Sequence, residues 1–150
     1  MPRGGRELPA ACRSLLREAS TVLHTGDVTT VAVLEELTRL AGVDRIEAVA
    51  GNMDGPDLRL LLQERHVVEA EGLRIGLVHD AGPAAGRHER LAAAFPGCDL
   101  VAYGHTHAPE VARRAGVWIV NPGSPTERRR APWHSLAVVR GGTPELVRLD

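Results

Sequence analysis

The chain has 150 residues, about one domain's worth, and its 43% hydrophobic but only 3% aromatic content calls for a core of Leu, Val and Ala in a single domain. A formal net charge of -1 supplies no electrostatic argument for a nucleic-acid groove or an anionic membrane as partner, although every basic residue is Arg. No stretch approaches the roughly 20 apolar residues of a membrane span and no signal-peptide-length apolar run follows residues 1–6, so a cytoplasmic protein is the expectation.

Residues 8–19 read as a helix, with Pro9 in its first turn and Cys12, Leu15, Leu16 and Ala19 on one face. A short strand at 21–23 runs into His24-Thr25-Gly26-Asp27. The period of residues 30–41 predicts a second helix, capped by Thr29 or Thr30 and ended by Gly42. Residues 45–50 form a strand that ends in Gly51-Asn52-Met53-Asp54-Gly55, and a Leu-rich stretch occupies 58–62. The runs 66–70 and 73–78 flank Glu71-Gly72 as a hairpin whose second strand ends at His79. Residues 88–95 are helical, 99–103 form a strand leading to Gly104-His105-Thr106-His107, and 117–120 precede Asn121-Pro122-Gly123-Ser124. A closing hairpin pairs 135–139 with 146–149 around Gly141-Gly142. Strand and helix alternate in the first half and strands dominate the second. That order predicts a sheet-on-sheet core with helices outside, with several strands delivering polar residues from their C-terminal ends to one rim. Cys12 and Cys98 form no CxxC pair and are expected to be small buried hydrophobes.

Successive strands thus end in loops that each hold a potential metal ligand: Asp27, then Asn52, then His79, then His105 with His107. A glycine beside Asp or Asn is ordinary turn chemistry, so Gly26-Asp27 or Gly51-Asn52 alone carries little weight. Gly104-His105-Thr106-His107 carries more, because two imidazoles at i and i+2 behind an apolar strand are expensive to desolvate without partners. Satisfied core or surface histidines are the competing reading. A carboxylate, an amide oxygen and imidazole nitrogens together suit manganese, iron, zinc or nickel.

The series GDVT, GNMD, the strand-end His79, GHTH and NPGS, in this order, resembles the calcineurin-like metallophosphoesterases, and among them the small YfcE-like phosphodiesterases. The resemblance covers almost the whole chain. It implies an αββα sandwich of two mixed sheets flanked by helices. It also implies that Asp27 bridges two divalent ions, that Asn52, His79 and His105 complete one site, and that His107 belongs to the other. Manganese is the expected ion, with iron, zinc or nickel as alternatives. Two such cations about 3.5 to 4 Å apart polarise phosphoryl oxygens, lower the pKa of a bridging water and hold attacking and leaving groups in line. The implied activity is hydrolysis of a phosphodiester or phosphomonoester of a small molecule, with Asp27, Asn52 and His105 as the catalytic set. Larger phosphatases of the superfamily carry a His after the Asn; Met53 stands there in this chain and cannot donate a proton, which points to esters whose leaving group departs unaided.

One family motif is absent. The D-x-H that ends the family's first strand has no counterpart, since no Asp precedes Asp27 and no His precedes His24. The expectation is a chain lacking its first strand, with its natural start upstream, so that Asp27, Asn52, His79 and His105 form one complete site and the site of His107 is incomplete. The full family site holds two ions; this one is expected to hold one. Loss of D-x-H also suits the alternative of a non-catalytic, protein-binding scaffold, as in the phosphoesterase-like subunit of the eukaryotic retromer coat. A nuclease would want a basic channel that the charge balance does not supply.

His24 and Asp54 are further candidates for orienting the ligands, and Arg130, in the run Arg128-Arg129-Arg130, for steering an anionic substrate, although such a run is more often a solvated loop. His66, His88 and His134 read as surface groups, Asn121-Pro122-Gly123-Ser124 as a turn shaping the rim, and Trp118 and Trp133 as packing residues. The expected partner is a small phosphorylated substrate, with no membrane and no nucleic acid; a homo-oligomer is left open.

Overall fold

Central strands with apolar residues at every position set the layers. In β5 (Leu100–Tyr103) all four residues are buried, as expected of a strand covered on both faces. Leu100 and Ala102 point into one cluster with Ile75, Leu77 and Val120, while Val101 and Tyr103 point into another with Val78, Leu91, Phe95 and Ile119. This is the period of two that a pleated strand imposes. The computed structural model describes residues 7–41 and 45–150.

β5 lies in a five-stranded sheet of order β3-β4-β5-β7-β6, with β3 (Arg65–Ala70), β4 (Leu73–Val78), β6 (Glu110–Arg114) and β7 (Val117–Asn121). β4, β5 and β7 run parallel, and β3 and β6 are antiparallel edges. α4 (Arg87–Ala94) covers one face, where Gly76 leaves room for the Phe95 ring: a Cβ there would stand 2.5 Å from Cδ1. The opposite face meets a second layer, in two pieces among the described residues: β1 (Val22–His24) paired in parallel with β2 (Ile46–Ala48), and β8 (Ser135–Arg140) paired antiparallel with β9 (Thr143–Arg148). α1 (Ala10–Glu18), α2 (Val31–Ala41) and α3 (Pro56–Leu61) belong to the outer layer. Leu8, Cys12 and Leu37 pack there with Ile46, Leu136 and Leu149, and Val28, Ala48 and Leu58 with Val31 and Leu34. The result is the expected α/β sandwich, a mixed sheet flanked by helices, with its second sheet split.

Several boundaries moved for local reasons. Pro9 precedes the first helix, at its N-cap, rather than sitting inside its first turn. Thr30 is the residue that caps α2, its Oγ1 accepting from Val33 N at 3.3 Å; the expectation that Gly42 ends this helix lies outside the described residues. The Leu-rich stretch is a short helix opened by Pro56 at its N-terminus. β6 was not expected at all. It is a half-exposed edge strand whose turn, Ala115-Gly116, has φ of 52° and 78°, the left-handed pair of a tight hairpin, carried by an alanine that gives no turn signal. Cys12 and Cys98 are buried free thiols, and burial pushes the Cys12 thiol up to about 11.

Candidate metal centre

β1, β2, β4 and β5 all deliver their C-terminal ends to one rim. β1 hands over to His24-Thr25-Gly26-Asp27, where Gly26 adopts φ 104° and Asp27 φ 60°. Glycine is required at position 26, since a Cβ would stand 2.5 Å from His79 Nδ1. His24 Nδ1 accepts from Gly26 N at 3.2 Å and shapes the turn. Burial drives the pKa of this imidazole down to about 3, so the ring is neutral and suited to accept.

The loop after β2 closes on Asp27. Met53 N donates to Asp27 Oδ1 at 2.8 Å, and Gly51 lies so near that a Cβ would fall 2.3 Å from both Asp27 N and Oδ1. Asp54, buried at 5% exposure, joins the two loops: Thr29 N donates to Oδ1 and Gly51 N to Oδ2, each at 2.7 Å. It therefore orients ligand-bearing backbone and is not aimed at the rim. Met53 takes part through its backbone, and its side chain is exposed.

His79 follows β4 and is buried. Its Nδ1–H donates to Thr25 O at 2.7 Å, which leaves Nε2 as the lone-pair nitrogen. Nε2 is 2.8 Å from Asn52 Oδ1, 3.4 Å from Asp27 Oδ2 and 3.3 Å from His105 Nδ1. His105 Nδ1 is in turn 3.1 Å from Asn52 Oδ1. The two imidazole rings meet edge to face, 5.2 Å between centroids. Asp27, Asn52 and His105, each from its own loop, thus gather around Nε2 of His79. Among the described residues, no three His, Cys, Asp or Glu side chains are grouped closely enough to hold an ion by themselves.

His107 lies on the wall of the same cavity, a space of about 670 Å³ that also touches Asp27, His79 and His105. Its Nδ1 bonds the Glu127 carbonyl, and burial, aided by Arg129, lowers its pKa. His105 and His107 adopt φ of 65° and 59°, left-handed conformations that few non-glycine residues take and that Asn, Asp and His take most readily. Asn121 stabilises that loop. Wholly buried, it donates Nδ2 to Gly104 O at 3.3 Å and Thr106 Oγ1 at 3.0 Å, and accepts from Gly123 N at 2.9 Å. The turn expected to shape the rim does so chiefly through this one amide, a role the sequence pattern did not single out.

Arg130 is exposed, and the basic residue that reaches the site is its neighbour Arg129, whose Nη1 donates to His105 O at 2.9 Å. The histidines expected as surface groups each face a carboxylate: His66 with Glu47 at 2.9 Å, His88 with Glu110 at 3.0 Å and His134 with Asp150 at 3.0 Å. Trp118 is half-buried under the guanidinium of Arg113 and Trp133 lies under that of Arg148.

A mixed sheet with polar loops gathered at strand ends can carry many chemistries, and comparison with known proteins shows which class this one belongs to. The profile of the calcineurin-like phosphoesterase superfamily domain matches residues 5–142. The chain belongs to that superfamily, whose metallophosphoesterases use divalent metal ions. A probable metallophosphoesterase of Methanothermobacter thermautotrophicus is 34% identical over 131 residues, 86% of this chain and 74% of that protein. Among solved structures, wild-type Vps29 of Entamoeba histolytica, in complex with zinc, superposes with a TM-score of 0.73 at 24% identity, covering 100% of this chain and 93% of that one. A novel archaeal phosphodiesterase gives 0.67 at 20% identity over 88% and 84%. The last two likenesses show the fold.

Proposed function

We propose that this protein is a metal-dependent phosphoesterase in which Asp27, Asn52, His79 and His105 hold a divalent ion, with His107 at the edge of a second position. The observation that carries this reading is the crowding of acceptors. With His79 Nδ1–H committed to Thr25 O, the Nε2 lone pair faces Asn52 Oδ1 at 2.8 Å and the Asp27 carboxylate at 3.4 Å. Lone pairs so placed repel unless a proton or a cation lies among them. A hard-to-borderline cation such as manganese fits this mixture of oxygen and nitrogen donors, with iron, zinc or nickel as alternatives.

When bound, such an ion supplies Lewis acidity toward a phosphoryl oxygen and makes a water more acidic. The chain's own residues do the positioning. Thr25 O fixes the His79 tautomer and ring plane. Met53 N anchors one oxygen of Asp27 and leaves the other on the His79 side. Asn52 offers an acceptor to the ion and, in the same amide, a donor for an ester oxygen. Arg129, exposed at the rim and bound to His105 O, adds positive charge where an anionic ester would arrive. Met53 has no proton for the leaving group, so the reading favours small-molecule phosphodiesters, or phosphomonoesters, with good leaving groups, as in the YfcE-like enzymes, acting in the cytoplasm.

Hydrolysis of bis-para-nitrophenyl phosphate with manganese, and its loss on chelation, is the direct test. Asn52→Ala and His79→Ala should each lower metal affinity in calorimetry together with turnover. A protein that binds manganese no better than these variants sinks the reading. One observation favours the scaffold alternative: Leu60 and Leu61, on the helix that follows the Asn52 loop, are 88% and 66% exposed. Tight metal binding without any hydrolysis would select it.

A further inference from the structure

The loop that carries Asn52 is tied unevenly along its length. Gly51 N donates to Asp54 Oδ2 at 2.7 Å, Met53 N to Asp27 Oδ1 at 2.8 Å and Asp54 N to Gly51 O at 3.2 Å. Both neighbours of Asn52 are thus held through their own amides. Among the described residues, the main-chain hydrogen bond of Asn52 itself is the one its carbonyl accepts from Arg59 Nη2 at 2.7 Å. The same guanidinium donates through Nε to Asp54 O at 3.0 Å, so it spans the loop from residue 52 to residue 54. Arg59 works from a fixed base. It lies on α3, its own N–H donates to Gly55 O at 3.1 Å, and the preceding Leu58, 1% exposed, packs with Val28 and Ala48.

His105 repeats the arrangement. Its loop is tied on either side, by Gly104 N donating to His79 O at 3.0 Å and Thr106 N donating to Gly104 O at 2.7 Å. Among the described residues, the main-chain hydrogen bond of His105 is the one its carbonyl accepts from Arg129 Nη1 at 2.9 Å. Asn52 and His105 are also residues whose side chains meet, Oδ1 to Nδ1 at 3.1 Å. Two guanidiniums from distant segments therefore hold the backbone behind one contact of the site. Both arginines are exposed. A hydrogen bond that water could replace adds little to stability, so what each bond contributes is the place of the carbonyl.

We infer that Arg59 and Arg129 are positioning residues of the proposed metal centre, a role that rests on the phosphoesterase reading and goes beyond the charge they bring to the rim. Side chains occupy staggered wells set by their own backbone, so a residue held at its carbonyl aims its amide or ring, and one released there does not. Arg59 fixes the residue that offers Oδ1, and Arg129 the one that offers Nδ1. The planar fork matters at Arg59, where two carbonyls two residues apart are bridged by Nε and Nη2. A lysine ammonium on its flexible stem does not reproduce that bridge.

Metal-free protein supplies the first measurement. The side-chain amide of Asn52, assigned by its disappearance in Asn52→Ala, is expected at a dispersed position in the nitrogen–proton spectrum of the wild type. In Arg59→Ala it should move to the position of free asparagine, and the ring nitrogens of His105 should shift likewise in Arg129→Ala. Arg130→Ala, which removes the same charge from an exposed neighbour, should move neither. With manganese added, calorimetry should show affinity about 10–100-fold weaker in each of the Arg59→Ala and Arg129→Ala variants, the range found for groups that orient metal ligands. Arg59→Lys should bind as weakly as Arg59→Ala. On an Asn52→Ala background Arg59→Ala should cost little more, since the group it aims is gone. Unmoved Asn52 and His105 resonances, full rescue by Arg59→Lys, or losses in Arg59→Ala and Asn52→Ala that simply add would overturn the inference. A wild-type protein that binds no manganese would instead remove the phosphoesterase reading, and the metal-free spectra would still decide whether the two loops are braced.

Discussion

Gly51→Ala adds one methyl group where the Asn52 loop crosses Asp27. The new carbon would stand 2.3 Å from Asp27 N and Oδ1, while ordinary Cβ contacts begin at 3.4 Å, so one loop must retreat by about 1.1 Å. The obstructing nitrogen is main chain, and Asp54 ties the two loops together on the far side, so little can yield without opening the junction. Overpacking of this kind destabilises by about 1–3 kcal/mol, or roughly 2–12 °C in melting temperature for a chain of this size. Because the displaced group is Asp27 itself, metal affinity and turnover should fall further, on the order of 100-fold for a misplacement near 1 Å. Gly55→Ala is the internal control. It adds the same methyl in the same loop, but at 3.6 Å from Thr29 O, which is ordinary contact. Calorimetry with manganese, thermal melting and aryl phosphodiester hydrolysis read the pair. A Gly51→Ala protein indistinguishable from Gly55→Ala in all three would show that the junction is not the rigid element described, and the reasoning would fail.

Asp54→Ala removes an acceptor shared by two backbone donors at 2.7 Å; with about 1.5–3 kcal/mol per hydrogen bond to a carboxylate, chemical denaturation should show a loss of about 3 kcal/mol or more. Asn121→Ala leaves Gly104 O, Thr106 Oγ1 and Gly123 N without their buried partner, and a loss of roughly 2–4 kcal/mol is expected in the same measurement. His24, with a folded pKa near 3 against 6.5 when unfolded, binds its proton more readily in the unfolded chain. It has no effect above pH 6.5, and stability falls as pH drops from 6.5 toward 3, by at most about 1.4 kcal/mol per pH unit. His24→Asn, which keeps an acceptor for Gly26 N, should flatten that slope in melts taken across the range; an unchanged slope would assign it to other groups.

The strand-end loops were legible because each couples a glycine-bearing turn to an apolar run, and parallel strands necessarily deliver such turns to one rim. Asp27, Asn52, His79 and His105 could be grouped on that ground alone. Asp54 could not be, since its partners are a backbone amide three residues back and another 25 residues away, and nothing in a sequence marks which N–H lacks a partner. The carboxylates facing His66, His88 and His134 were hidden for the same reason: each pair spans 16 to 22 residues and exists only through strand register or helix packing. β6 escaped because Arg113 and Arg114 blunt its apolar pattern, and Arg129 was passed over for Arg130 because a run of like charges does not say which member the turn points inward.

Thr29 carries φ 85°, a backbone shape that branched side chains resist. It is clamped there at both ends, by the Asp54 carboxylate on its N–H and by Gly55 N on its carbonyl at 3.2 Å. The bend behind Asp27 is therefore a loaded spring, storing on the order of 1–3 kcal/mol that the clamp supplies. A glycine at this position would let the spring go slack: the strained backbone would relax while both clamping hydrogen bonds stay, since each belongs to the main chain of residue 29.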